Sequence, residues 1–479
     1  MVKFSMAQKG SKKTKSVTPQ VDVHYTRYKK RKSLNNQPDM ISDLPKDVLY
    51  RIIERLPLRD AARMSILSHK WQKIWASTPH LAFDTHFFTR VLKKKVPEAH
   101  EFLEIASKIL FQHDGPIPKL SLWVPELKSC PDVTHWIAFL SRTGLREFDL
   151  CNKYRTPLKL SPHLFSCKDL EKLMLYRCIF SLPLNFKGFP KLTSLKLYGI
   201  NIVYNTLKHL IGSCPLLQNL VLKDFSGMEN KHIIVDAPNL RNLVIDGVFG
   251  SLDVKVPEDL VSASFVLQKL TINRREEESS YDLINALANS SRLEWLCLGG
   301  HICKVLFESC SLPNTCQKLK NLELQSLHLD DLNDFSSAVS CLQSFPNIET
   351  LNISVNTSKS LDEHVLVYNP DCTLHHLRCA KIGICSGSST ELKLIEFLLD
   401  CSPVLEKLYI SLTMPLKQSR HSRMTSQLNR FRRASRKVEV VCPERKVYPK
   451  VPVSVSFPSS SSAQHITIDS SSSDDTYYL

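Results

Sequence analysis

The sequence predicts an α/β fold. A short three-helix module comes first, and a repeat solenoid follows it, with a parallel sheet on the concave face and helices or irregular returns on the convex face. Three observations predict this. Apolar residues recur at helical period through 44–76. Short leucine motifs, twelve in number, then recur at nearly constant spacing. Glycine is scarce, at 13 of 479 residues, which argues against glycine-loop architectures.

The chain is too long for one ordinary globular core, so a repeat array or several domains is expected. The apolar fraction of 43% can fill a packed interior. The formal charge of +16 is concentrated at the ends. Residues 1–37 carry +9, residues 416–450 carry +9 and residues 451–479 carry −3, which leaves +1 for 38–415. Basic flanks of this kind read as solvated tails or localisation signals, so nucleic acid is disfavoured as the main partner. Residues 1–37 and the serine-rich 441–479 read as disordered tails. Fifteen cysteines without a Cys-x-x-Cys pair fit a reducing compartment. No stretch of about 20 apolar residues suits a membrane, and the first residues lack the apolar run of a secretory signal.

In the helical module, Val48, Leu49, Ile52, Ile53 and Leu56 form one broad apolar stripe. Leu56-Pro57 ends that helix, because the residue before proline avoids the α region. Residues 60–67 read as a second short helix. Ser68 is the N-cap of a third over 69–76, which carries Trp71, Ile74 and Trp75. A longer helix is expected over 86–112, with a break near Pro97.

The repeat has the form L-x-x-L-x-L. It starts at Ile117/Leu120/Leu122 and runs through Leu145/Phe148/Leu150, Leu170/Leu173/Leu175, Leu192/Leu195/Leu197, Leu217/Leu220/Leu222 and Leu240/Leu243/Ile245. Further motifs are expected at Leu267/Leu270/Ile272, Leu293/Leu296/Leu298, Leu319/Leu322/Leu324, Ile348/Leu351/Ile353, Leu374/Leu377/Cys379 and Leu405/Leu408/Ile410. From Leu145 onward the spacing runs between 22 and 31 residues, the period of leucine-rich repeats. Each L-x-L is a short strand whose leucines face the core and whose alternate residues face outward. On that outward face the register sets Tyr176 beside Tyr198, with Lys172, Lys196 and Lys223 nearby, as an aromatic-basic patch. Trp295 is a second, isolated anchor. The triplet Lys269, Thr271, Asn273 is expected on the same face.

These residues resemble a known family. Leu44-Pro45 … Val48-Leu49 … Ile52 … Leu56-Pro57 … Ser68 … Trp71 … Trp75, followed by Pro79-x-Leu81-x-Phe83-Asp84, is similar to an F-box. With the leucine-rich repeats and the FBD-like segment Glu391 to Ile410, then Phe431-Arg432-Arg433-Ala434-Ser435, the chain resembles the plant F-box/leucine-rich-repeat/FBD class. The resemblance divides the chain into an F-box over 38–85, a linker helix and repeats over 86–370, and FBD-like repeats over 371–440. It implies a non-catalytic, substrate-recognition subunit of a Skp–cullin–F-box ubiquitin ligase, nuclear and/or cytoplasmic. Leu44, Pro45, Val48, Leu49, Ile52, Leu56, Pro57, Leu67, Trp71 and Trp75 would bind a Skp-type adaptor that bridges to cullin and RING subunits. The alternative is that these apolar residues form the module's own three-helix core, a reading most evenly balanced for Ile52 and Trp71 and weaker for Leu44 and Pro45. The family often has an acid just after Leu-Pro, and here Lys46 precedes Asp47. The repeats would hold a protein to be ubiquitinated. A small-ligand sensor and a non-degradative scaffold are the alternatives.

Other chemistry finds little support. Cys372, His375, His376 and Cys379 have tempting metal spacing, but the register expected above turns Cys379 inward as a core residue, away from His376. There is no G-x-S-x-G, H-E-x-x-H or phosphate-cradling glycine loop. No cofactor or metal is expected.

Overall fold

The computed structural model describes residues 41, 43–84, 87, 99–124, 131–152, 156–227, 232–249, 251–255, 257–268, 287, 290–307, 316–329, 332–356, 373–384, 387–412 and 418–442. The expected tail 1–37, Cys372, the triplet at 269–273 and residues 443–479 lie outside them. Two units are distinguished, Met1–Leu44 and Pro45–Leu479. In the first, the Leu44 N–H donates to the Ile41 carbonyl at 3.3 Å.

The second unit opens with three helices, α1 (Lys46–Glu54), α2 (Leu58–Met64) and α3 (His69–Ala76). Pro45 and Pro57 stand immediately before α1 and α2, where a missing N–H costs nothing. Ser68 caps α3, its Oγ accepting from the Trp71 N–H at 3.3 Å. Leu49 and Ile53 of α1, Ala61 of α2, and Trp71 and Ile74 of α3 are buried. The Tyr50 hydroxyl and Ser77 Oγ, 2.8 Å apart, tie α1 to the end of α3.

Among the described residues, a parallel sheet of fourteen strands follows, with neighbours in sequence order. Its strands are β1 (His80–Phe83), β2 (Lys119–Val124), β3 (Glu147–Asn152), β4 (Lys172–Tyr176), β5 (Ser194–Tyr198), β6 (Asn219–Phe225) and β7 (Asn242–Gly247). It continues with β8 (Ser262–Leu267), β9 (Trp295–Gly299), β10 (Asn321–Leu327), β11 (Thr350–Val355), β12 (Cys379–Ile384), β13 (Lys407–Leu412) and β14 (Glu439–Val441). Pairs such as Leu173↔Leu195 and Leu195↔Leu220 put each repeat's inward leucines in line with the next. One continuous core results. The returns include α4 (Ala99–Phe111), α5 (Pro131–Leu140), α6 (Tyr204–Gly212), α7 (Gly300–Phe307), α8 (Leu332–Gln343) and α9 (Ser389–Cys401). Trp136 of α5 is fully buried, edge-on to Phe102 at 5.9 Å, with its Nε1 donating to Ser107 Oγ at 2.9 Å. Of the helix expected over 86–112, Phe87 and α4 are described, and residues 86 and 88–98 lie outside.

Three expectations change. The strand expected at Leu267/Leu270/Ile272 lies earlier, at β8, where Leu260, Ala263 and Phe265 fill the inward positions, each 0% exposed. Alanine on one step and phenylalanine on the next substitute for two leucines. At β12 the inward pair is Ala380 and Ile382, and Cys379 pairs with Thr350 and Lys407 on the outward side, half-buried. Cys379 is therefore not a core residue. Third, the sheet is longer at both ends than the leucine motifs. β1 pairs with β2 through Leu81↔Leu120 and Phe83↔Leu122, and β14 pairs with β13.

The module and the repeats are joined by packing as well as by chain. Leu58 belongs to the same buried cluster as the repeat leucines, and Trp75 packs against it. The Asp114 N–H donates to the Ala76 carbonyl at 2.7 Å, and the His113 ring lies 2.8 Å from the Thr78 carbonyl through Nε2.

Candidate docking faces

On the helical module the structure splits the ten residues expected to bind an adaptor. Leu49 and Trp71 are 0% and 2% exposed, so they build the module's own core and offer no surface. Val48, Ile52, Leu56, Pro57 and Trp75 are half-buried, and Pro45 is exposed. Leu44, in the first unit, is half-buried. Leu67 is the exposed member, at 66%, and its neighbour Ile66 is more exposed still, at 83%. Ile66 is not among the ten residues expected to bind, although it adjoins Leu67. The turn between α2 and α3 presents both side chains, with Ser65 Oγ donating to the Ala62 carbonyl at 2.6 Å beneath them. Two adjacent exposed branched aliphatics are costly to leave in water, and such positions mark contact surfaces.

The second face is the outward side of the sheet. Register places its residues in columns. Glu147, Lys172, Ser194, Asn219, Asn242, Ser262, Trp295, Asn321 and Thr350 form the first. Asp149, Met174, Lys196, Val221 and Val244 run through the second, and Cys151, Tyr176, Tyr198, Lys223 and Asp246 through the third. Tyr176 and Tyr198 are paired as expected, ring centroids 6.5 Å apart. Both are half-buried, as are Lys196, Lys223 and Trp295. Arg177, also missed, stands over the Tyr176 ring at 5.3 Å. Its φ of 52° bends the chain at the strand end, a turn repeated by Gly199, Asp224 and Ser326 at 58°, 51° and 51°.

Of the three lysines expected in the patch, Lys172 is paired, whereas Lys196 and Lys223 make no ion pair among the described residues. Lys172 Nζ is 2.7 Å from Glu147, and Lys119 contacts the same carboxylate at 3.2 Å. Burial alone would raise the Glu147 pKa, but the Lys172 hydrogen bond and the two lysine charges hold it below the usual carboxylate range. Burial raises the Asp149 carboxyl, against the opposing pull of its hydrogen bond from Ser121 at 3.1 Å. Burial, with the Asp149 charge added, pushes the Tyr198 hydroxyl up to about 12. The two tyrosines thus lie beside a paired cluster, Lys119–Glu147–Lys172, with Lys196 and Lys223 on the same face. Trp295 stands between Ser262 and Asn321, away from that pair.

His80 in β1 closes the row. Burial, then the Lys119 charge, lowers its pKa to about 4. A histidine held neutral in the fold and near 6.5 when unfolded takes up its proton first in the unfolded chain. Stability should therefore be level above pH 6.5 and fall as pH drops from about 6.5 to about 4. Urea midpoints at pH 7.5 and 5 measure this. If His80→Leu leaves the difference between those midpoints unchanged, another group carries the slope.

Among the described residues, no group of three or more His, Cys, Asp or Glu is arranged to hold a metal. His376 is exposed in the turn before β12. No helix among the described residues is long and apolar enough to cross a membrane.

A model of the F-box domain matches residues 41–81. A model of the leucine-rich repeats of FBD-associated F-box protein At5g56370 matches residues 133–353. The chain is similar to the Arabidopsis thaliana F-box/FBD/LRR-repeat protein At1g13570, at 31% identity over 423 residues, 85% of this chain and 99% of the relative. It is also similar to F-box/FBD/LRR-repeat protein At2g04230 of the same plant, at 27% identity over 68% of this chain and 67% of the relative. Putative F-box/FBD/LRR-repeat protein At5g22670, again from Arabidopsis thaliana, is 26% identical over 84% of this chain and 97% of its own length.

Proposed function

The chain belongs to the plant F-box/FBD/leucine-rich-repeat family, and from that premise we propose that it is the substrate-recognition subunit of a Skp–cullin–F-box ubiquitin ligase. In this reading the F-box spans about 38–85, the repeats 86–370 and the FBD-like repeats 371–440. The F-box docks a Skp-type adaptor, which bridges to cullin and RING subunits. The repeats hold the protein to be ubiquitinated, and the chain itself is a receptor that performs no bond chemistry. It works in the nucleus and/or cytoplasm, where those subunits act.

The observation that carries the reading is the exposed pair Ile66 and Leu67 at 83% and 66%, set on a module whose other large apolar groups are mostly covered. Such a pair fits an anchor that enters an apolar pocket on a partner. Pro45, Val48, Ile52, Leu56, Pro57 and Trp75 are assigned the remaining adaptor contacts, and Leu44 is assigned one in its own right. Leu49 and Trp71 act indirectly, by holding the helices together. The cargo surface is the outward sheet face, with Tyr176 and Tyr198 as its aromatic anchor and Lys196, Lys223 and Trp295 along the same face.

Co-expression of the full chain with a plant Skp-type adaptor should yield a 1:1 complex by native mass spectrometry. Leu44→Ala/Pro45→Ala should lower its recovery. An adaptor that never co-elutes with the folded wild-type chain removes the docking assignment.

A further inference from the structure

The basic segment near the C-terminal end is not the solvated tail that its charge predicts. It includes a tenth helix, α10 (Gln418–Leu428), and a connection to β14. Met424, Leu428 and Val438 are buried, and Phe431 packs on the repeat core. The Ala434 N–H donates to the Leu399 carbonyl at 2.9 Å, and the buried Ser435 Oγ donates to the Leu405 carbonyl at 2.6 Å. Beside these fixed points Arg423, Arg430, Arg432, Arg433, Arg436 and Lys437 are all exposed. No Asp or Glu occurs between 418 and 438. Arg432 reaches Asp400 at 3.6 Å, and the other five have no ion pair among the described residues. Unpaired like charges held on ordered backbone repel one another and attract an anionic segment without a further ordering cost on their own side.

We propose that this arginine surface is the docking site of the chain's own acidic segment, Asp469-Ser-Ser-Ser-Ser-Asp474-Asp475. Residues 451–479 carry three aspartates and no lysine or arginine, so the charges are complementary. Asp469 follows Cys442, the last described residue, by 27 positions. A random coil of that length would span about 30 Å, which would set a local concentration on the order of millimolar. The basic residues of 1–37 compete only from more than 400 positions away along the chain. The docked segment shields the arginines from other polyanions, and added salt releases it.

Two measurements on the full chain test this. Zero-length carbodiimide coupling at low salt should join Lys437 to Asp469, Asp474 or Asp475, and 0.5 M salt should suppress it. Coupling confined to lysines of 1–37, or none at all, overturns the proposal. The second uses a fluorescein-labelled 20-nucleotide deoxythymidine strand as a probe polyanion. Neutralising the tail with Asp469→Asn/Asp474→Asn/Asp475→Asn should tighten probe binding at least about threefold. In a chain also carrying Arg430→Glu/Arg433→Glu/Arg436→Glu, whose targets are exposed and whose melting should match wild type, the tail substitutions should have no effect. Equal effects in both backgrounds would mean a net-charge effect, and unaltered binding in the first would make the surface a nucleic-acid site; either overturns the proposal.

Discussion

Ile66→Asp/Leu67→Asp should abolish adaptor binding while leaving the chain folded. Both side chains are exposed, at 83% and 66%, so neither contributes to the module's interior. An aliphatic anchor that fills a partner pocket is worth about 2 kcal/mol or more, and each such loss is about 30-fold in Kd. A carboxylate placed there adds the cost of burying an unpaired charge. The double variant should weaken binding by more than about 100-fold in calorimetry. Its thermal melt should move little, as is usual for surface positions. Trp71→Ala should behave oppositely, unfolding the module and losing adaptor only as a consequence. If Ile66→Asp/Leu67→Asp binds adaptor within a few-fold of wild type, the face lies elsewhere on the helices.

The largest stability effect should come from Trp136→Ala. The indole is 0% exposed, packs edge-on to Phe102 and donates to Ser107. Truncating a buried tryptophan costs about 3–5 kcal/mol through lost transfer energy and the residual cavity. Ser107 also loses its donor. Against typical total stabilities of about 5–15 kcal/mol, that threatens the first repeats outright. Repeat arrays transmit such damage mainly to neighbours. Limited proteolysis should therefore cut near α4 and α5 before it cuts the later repeats. A urea midpoint shifted by under about 1 kcal/mol equivalent would show that the neighbours collapse into the space.

Most of the sheet was legible because its inward positions are leucines at constant spacing. It became illegible where volume was kept and leucine was not. At β8, Ala263 beside Phe265 conserves the filled space across two positions, and a nearby leucine-rich run at 267–272 drew the motif away. At β12, Ala380 plays the same part and shifts the strand three residues along. The docking residues posed a different difficulty. A small helical module is apolar both where it meets itself and where it meets a partner, so pattern alone could not separate Leu49 from Leu67. Burial separates them. Ion pairing was likewise illegible, because formal charge counts neighbours singly, whereas Lys119 and Lys172 share Glu147.

One feature of the N-terminal end bears on how such receptors can be recombined. β1 follows α3 directly, yet it is the first strand of the repeat sheet, and Leu58 of α2 sits in the repeats' core. A chimera joined just after Asp84 would transplant an edge strand without the β2 surface that it was shaped to meet. Exchanging adaptor modules between relatives should succeed when the seam is moved past Val124, so that β1 and β2 travel together. The unit of inheritance that can be shuffled is then larger than the unit that binds.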